Sequence, residues 1–272
     1  MRYVVAVSGG VDSVVLLDMM SKVAGHELIV AHFDHGIRDD SADDATFVAH
    51  LASKYGLTFA GKREELGKSA SESLARERRY AFLRELADQH DARIITAHHL
   101  DDLVETVAIN LKRGTGWRGL AALDSDVARP IIDVTKQELI LYAKNHGLTW
   151  REDSTNATDV YLRNRVRRKA ANITDDTKRQ LRALHAHQKQ LKIDIEQEAH
   201  TLVGAGPEYS RYLFTHVPNA TALECLRLIT KGSLTRPQLQ RFLLAVKTAA
   251  SGTIFEAGAG VKVQFRTRHF SL

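Results

Sequence analysis

Over the first hundred residues, short runs of branched apolar residues alternate with longer stretches of helical spacing. Arg2–Val7 (RYVVAV), Leu28–Phe33 (LIVAHF), Leu57–Ala60 and Arg93–Ala97 (RIITA) are compact and mostly apolar. Runs of this kind predict buried strands of a parallel sheet. Between and after them, Val14–Ala24, Ser41–Tyr55, Glu72–Gln89 and Leu100–Lys112 read as helices. In the second of these Ala45, Val48, Ala49 and Ala52 fall on one stripe. In the third Leu74, Ala75, Phe82, Leu83 and Leu86 do the same. Strands alternating with helices predict an α/β fold, an open parallel sheet with helices on both faces and right-handed crossovers.

The pattern then changes. Lys136–His146 is helical and Gly147 suits the position after its last turn. Asp153–Asn156 is polar and turn-like, and Tyr161–Ala171 is densely basic. Asp175–Leu202 predicts one long helix, with Asp175 and Asp176 at its positive end. It stops at Gly204-Ala205-Gly206-Pro207, a linker signal. Two short helices follow, about Ala222–Lys231 and Pro237–Ala249. Thr253–Ala257 and Val261–Leu272, joined through Gly258-Ala259-Gly260, then predict a β-hairpin. The expected organisation is a catalytic domain over 1–172, a long helical linker over 173–206 and a small α+β domain over 207–272.

Charge sharpens this division. Residues 1–159 carry 19 Lys and Arg against 25 Asp and Glu, whereas 160–272 carry 19 against 8. A mildly acidic body joined to a basic second part suggests an enzyme with an arm for a polyanion. A single cysteine, Cys225, excludes a disulfide scaffold, a cysteine metal cluster and a Cys-x-x-Cys redox pair. No apolar run is long enough for a transmembrane helix, and no secretory leader pattern opens the chain. The expectation is a cytoplasmic enzyme.

The first candidate chemistry is Ser8-Gly9-Gly10-Val11-Asp12-Ser13, between the first strand and the first helix. Ligands of open α/β sheets bind at the carboxyl ends of strands. Glycines let the backbone approach a phosphate, and the amides of the following helix supply donors. Ser8 and Ser13 add hydroxyls. Asp12 would repel phosphate, so it suits a magnesium ion or loop positioning. The Gly-Lys-Ser/Thr ending of a Walker loop is missing, as is three-glycine dinucleotide spacing. The hexapeptide resembles the pyrophosphate loop of the N-type ATP pyrophosphatases. That resemblance implies ATP cleaved between its α- and β-phosphates, with AMP transferred to an oxygen of the substrate.

Further segments narrow the resemblance. They are His32-Phe33-Asp34-His35-Gly36-Ile37-Arg38, Ala75-Arg76-Glu77-Arg78-Arg79-Tyr80, and Ala97-His98-His99-Leu100-Asp101-Asp102-Leu103-Val104-Glu105-Thr106. Leu111-Lys112-Arg113-Gly114-Thr115-Gly116, Glu152-Asp153-Ser154-Thr155-Asn156 and Tyr161-Leu162-Arg163-Asn164-Arg165-Val166-Arg167 complete the set. In this order they resemble the tRNA(Ile)-lysidine synthetases, well over about residues 1–170 and faintly beyond. The resemblance implies that free lysine is joined to C2 of the wobble cytidine of a CAU anticodon. ATP first adenylates the C2 oxygen, and the lysine ε-amine then displaces AMP. It also implies ATP contacts at Ser8, Gly9, Gly10, Val11, Asp12, Ser13, His32 and Asp34, with magnesium at Asp12. Asp102 and Glu105, which share a helix face, would hold lysine, and with Asp12 they are the catalytic candidates. His98 and His99 either act on protons or line the pocket. The family usually has Gln where this chain has Leu103, which either alters substrate contacts or faces the core.

Arg163, Arg165, Arg167, Arg168 and Lys169 form a basic cluster, with Tyr161 available to stack on a base. Together with Arg76, Arg79 and Arg113 they are the candidate tRNA contacts. Lys178, Arg179, Arg182, Lys189, Lys192, Arg211, Arg227, Lys231, Arg236, Arg241 and Arg266 would extend the track. Leu181, Leu184, Leu191 and Ile195 on the long helix offer a face for a homodimer or for docking on the small domain. The alternatives are a tRNA thiolase, disfavoured by the lone cysteine, an amide-forming enzyme on a small molecule, and an RNA-binding module without catalysis.

Overall fold

The computed structural model describes residues 1–36, 41–67, 70–121, 123, 126–152, 166 and 173–272. It divides into two compact units, Met1–Ala186 and His187–Leu272, with the division inside one helix.

In the first unit β1 (Arg2–Ala6), β2 (Glu27–Asp34), β3 (Thr58–Arg63) and β4 (Arg93–Ile95) form a parallel sheet in the order β3-β2-β1-β4. The chain winds outward from β1 through β2 to β3, then returns to β1's other side. The switch point therefore lies between β1 and β4, where a crevice opens beyond the carboxyl ends of the strands. β4 is shorter than its sequence pattern suggests, and β3 is longer because it pairs with β2 as far as Asp34↔Arg63. Beyond β4, Ala128 continues the sheet by bridging Ile95.

The sheet's two faces sort the side chains by alternation. Val5, Val7, Leu28, Val30 and Ile95 face α1 (Val11–Ser21), α2 (Ser41–Lys54) and α6 (Lys136–Asn145), forming one core. Val4, Ile29, Ala31, Phe33 and Ile94 face α3 (Glu72–His90) and pack on Tyr80, Phe82, Leu83 and Leu86. α4 (Leu100–Lys112) and the single turn α5 (Trp117–Leu120) enclose a smaller cluster of Leu100, Leu103 and Val107. Leu103 is 0% exposed there, so the departure from the family's usual Gln is a core residue.

The long helix α7 spans Asp175–Val203. In the second unit β5 (Glu208–Ser210), α8 (Arg211–His216), α9 (Asn219–Ile229) and α10 (Arg236–Thr248) precede β6 (Ile254–Gly258), β7 (Val261–Phe265) and β8 (His269–Ser271). The expected hairpin is thus part of a four-stranded antiparallel sheet, β5-β8-β7-β6. Its third and fourth strands come from the end of the predicted hairpin and from the residues just after Pro207. Phe214, Phe242, Phe265 and Phe270 fill the core with Cys225, which is fully buried. No helix among the described residues is long and apolar enough to cross a membrane.

Two members of the proposed basic track have partners within the fold. The guanidinium of Arg211 donates to the carbonyls of Val246 at 2.8 Å, Ala249 at 2.8 Å and Arg266 at 3.0 Å. It therefore staples β7 and α10 together. Lys178 is 6% exposed and sits between two carboxylates of its own unit.

Candidate active site

The loop after β1 begins at Ser8, and α1 begins at once on it, with Gly10 as N-cap. Gly9 has φ +92°, a backbone conformation that favours glycine, and a Cβ there would touch the Phe47 ring at 3.4 Å. The Ser13 hydroxyl donates to the Gly10 carbonyl at 2.9 Å and accepts from the Ser8 amide at 3.2 Å. That bond pair closes the loop on itself. From outside, the His32 ring bonds the Val7 carbonyl at 2.8 Å, and the Arg151 amide donates to the Gly9 carbonyl at 3.0 Å. Val11 packs in the core, so it offers a ligand only its amide. The result is a rigid N-terminal helix turn without a side-chain cap, the arrangement that suits an oligophosphate.

A cavity of about 250 Å³ opens beside this loop, at the sheet's switch point. Ser8, Asp12 and Ser13 line it from the loop, Phe33 and His35 from β2 and its end, and Arg76 and Arg79 from α3. Thr96, His98 and Asp102 line it from the segment leading into α4. Arg76 and Arg79, singled out as RNA contacts, thus stand on the wall of the same cavity as the phosphate loop.

The opposite wall is the head of α4, where His99 is the N-cap. Its ring accepts from the Asp101 amide, while Asp102 Oδ2 accepts from the His99 amide at 3.1 Å, a reciprocal capping pair. His99 Nε2 lies 3.6 Å from Asp12 Oδ2 and 3.4 Å from Asp102 Oδ2, so one buried ring stands between the two cavity carboxylates. Burial opposes charge on this ring. The carboxylates of Asp101, Asp12 and Asp102 outweigh it and push the pKa up to about 9. In the charged form both ring nitrogens are donors, and the cap bond to Nδ1 belongs to the neutral ring.

Asp12 also takes Lys136 Nζ on both oxygens, at 2.7 and 2.9 Å. Burial alone would raise its pKa, but His99 and Lys136 hold it below the usual carboxylate value. Asp101 is tied down more firmly. Its Oδ2 accepts from the Lys136 amide at 2.8 Å and its Oδ1 from Lys178 Nζ at 2.8 Å. Burial works against its ionisation too, yet contacts with His99, Lys178 and the Lys136 amide bring its pKa well below the carboxylate range.

Not every expected residue faces the cavity. Alternation along β2 presents Ala31, Phe33 and His35 to it, whereas His32 bonds Val7 and Asp34 pairs with Arg63 at 2.9 Å and caps the Gly36 amide. Glu105 lies one turn beyond Asp102 on α4, 2% exposed and outside the cavity lining. Arg113 is the exposed C-cap of α4. Arg163, Arg165, Arg167, Arg168 and Lys169, with Tyr161, lie outside the described residues.

Sequence reading missed Lys136, and it gave Asp101 and Lys178 no part in this site. Thr135-Lys136-Gln137-Glu138 is legible as a capping box, and the structure contains it. Nothing local says that the lysine in its first turn meets an aspartate 124 positions away.

No group of three or more His, Cys, Asp or Glu able to hold a metal is found among the described residues. Magnesium brought by a nucleotide needs less, usually one or two carboxylates and the phosphates themselves. An ionised Asp12 on the loop fits that requirement.

Residues 1–174 match the PP-loop domain family. The chain is 43% identical over 172 residues to the tRNA(Ile)-lysidine synthase of Thermus thermophilus, covering 60% of this chain and 34% of that protein. It is 32% identical over 286 residues to the tRNA(Ile)-lysidine synthase of Novosphingobium aromaticivorans, covering 98% of this chain and 86% of that protein. The chain therefore spans about a third of the Thermus thermophilus relative and most of the other. Among solved structures, the U34-tRNA thiolase NcsA of Methanococcus maripaludis, with its [4Fe-4S] cluster, superposes with a TM-score of 0.57 at 18% identity. The match covers 70% of this chain and 72% of that one, a likeness of fold.

Proposed function

This chain belongs to the tRNA(Ile)-lysidine synthase family, and from that premise we propose that it ligates free L-lysine to C2 of the wobble cytidine in the CAU anticodon of tRNA(Ile). The product would be lysidine, which converts codon reading from AUG to AUA. The observation that carries the reading is the meeting of the Ser8–Ser13 loop and the Asp102 carboxylate on one cavity. Adenylation and amine capture need these two walls within reach of the same nucleotide.

In the first step the cytidine C2 oxygen attacks the α-phosphorus of ATP and pyrophosphate leaves. In the second the lysine ε-amine attacks C2, loses a proton and expels AMP with the former C2 oxygen. The loop amides bind phosphate oxygens, and Arg76 and Arg79 add positive charge to the same cavity. Asp12, together with the phosphates, would hold a magnesium ion, which would supply charge neutralisation for the leaving pyrophosphate. Asp102 holds a lysine ammonium, with Glu105 behind it on the same helix. The anticodon nucleotide is already unpaired, so splaying it into the cavity costs little. The Arg163–Lys169 cluster and Arg113 hold RNA phosphates, and this binding weakens steeply with salt. The buried, solitary Cys225 supplies no thiol pair for sulfur transfer, which favours ligation over thiolation.

The test is incorporation of radiolabelled lysine with ATP, magnesium and an isoleucine tRNA transcript bearing CAU. Acid-stable, ATP-dependent label on that transcript, absent from one with a changed wobble base, is expected. Label on both or neither, with ATP and RNA shown to bind, contradicts the reading.

A further inference from the structure

Lysine is rarely buried unless paired, yet Lys178 in the first turn of α7 is 6% exposed. Its Nζ bonds Asp101 Oδ1 at 2.8 Å and Asp175 Oδ1 at 3.0 Å. The other Asp101 oxygen takes the Lys136 amide at 2.8 Å. Asp101 therefore joins three helix starts, those of α4, α6 and α7. It lies between His99, which stands between the two cavity carboxylates, and Asp102, which lines the cavity. Two more pairs hold the same stretch of α7, Arg179 to Glu138 at 3.0 Å and Arg182 to Asp133 at 2.8 Å. Neither pair includes a residue of α4.

We propose that Lys178 is a positioning residue for lysine transfer: through Asp101 it sets where the head of α4, and with it Asp102, stands relative to the phosphate loop. Without its ammonium, a partly buried carboxylate loses the cation 2.8 Å from its Oδ1, and the α4 head gains freedom to shift. The loop itself is closed by Ser13, His32 and Arg151, none of which touches Lys178, so nucleotide binding stays as it is. This inference rests on the ligation reading above.

The experiment compares full-length wild type with Lys178→Met, Asp101→Asn, the double variant and Asp133→Asn. Lysine KM and kcat are measured with the CAU transcript, ATP affinity by calorimetry, and folding by thermal melting. Lys178→Met should lower kcat/KM for lysine about tenfold while ATP affinity stays within about twofold. In the Asp101→Asn background the same change should cost less than about threefold, because coupled residues are not additive. Asp133→Asn, which removes an outer clamp alone, should lower the melting temperature and leave lysine kinetics unchanged. If Lys178→Met does not fold, Lys178→Arg carries the test: keeping the charge should keep kcat/KM within about threefold, and a tenfold loss would overturn the proposal. A Lys178→Met enzyme with altered melting but wild-type lysine kinetics overturns it too, as does an equal loss in both backgrounds. Wild type that incorporates no lysine defeats the ligation reading instead.

Discussion

The two walls of the cavity are built in opposite ways. The phosphate loop takes its shape locally: six consecutive residues, with one glycine at φ +92° and a closing hydroxyl five positions on, backed from outside by His32 and the Arg151 amide. The head of α4 is assembled from a distance. Asp101 meets a backbone amide 35 positions later and the amine of Lys178. A wall made of backbone fails when its conformation is forbidden. A wall made of charges fails when one partner is removed or neutralised. Single substitutions and acid separate the two modes of failure.

The largest effect is expected at Gly9. Gly9→Val places a branched side chain at positive φ and within contact of Phe47. Strain of about 1–3 kcal/mol must be relieved by moving the loop. ATP affinity should fall by up to about a hundredfold, read by calorimetry, while the core of the second unit melts as before. Unchanged affinity would mean that the loop does not need this conformation to bind nucleotide.

Next comes Asp102→Asn. Asparagine keeps an oxygen to accept from the His99 amide, so the helix cap survives. Removing the charge should raise lysine KM by about ten- to a hundredfold, the size of a lost charge-assisted hydrogen bond. ATP affinity should hold, and a parallel loss of ATP binding would show that the walls are not separable.

A smaller effect concerns acid. Asp101 has a depressed pKa in the folded state, so its contribution is present above its unfolded value and is lost as pH falls toward its folded one. Melting of Asp101→Asn should therefore decline less steeply between about pH 5 and pH 3 than that of wild type. Parallel curves would remove Asp101 from the network.

The smallest expected effect on RNA is at Arg211. Arg211→Met breaks three bonds to carbonyls and should destabilise the second unit by about 1–3 kcal/mol. The salt slope of tRNA binding should not change, since this guanidinium is occupied by three carbonyls. A shallower slope would return it to the RNA surface.

The same contrast explains what could be read in the chain. Buried parallel strands, the phosphate loop and the span of α7 follow from period, β-branching and glycine placement, all short-range signals. β5 and β8 were not legible, because three-residue strands acquire their identity from the partner they pair with. In the cavity, Asp102 was legible through its neighbours on α4. The facing of His32 and Asp34 was not, because alternation fixes which residues share a face but not which face lies toward the cavity. Lys178 looked like one more cation on a basic helix, and only the arrival of Asp101 from another helix makes it internal.

On the proposed reading, one wall handles ATP and the other handles lysine. Single-turnover reactions of Asp102→Asn with ATP, magnesium and the CAU transcript test it most directly, following pyrophosphate release and lysine incorporation in the same mixture. Pyrophosphate release should stay near the wild-type rate while lysine incorporation falls by about tenfold or more, as set by the lost charge-assisted bond. Loss of both signals in equal measure would contradict it.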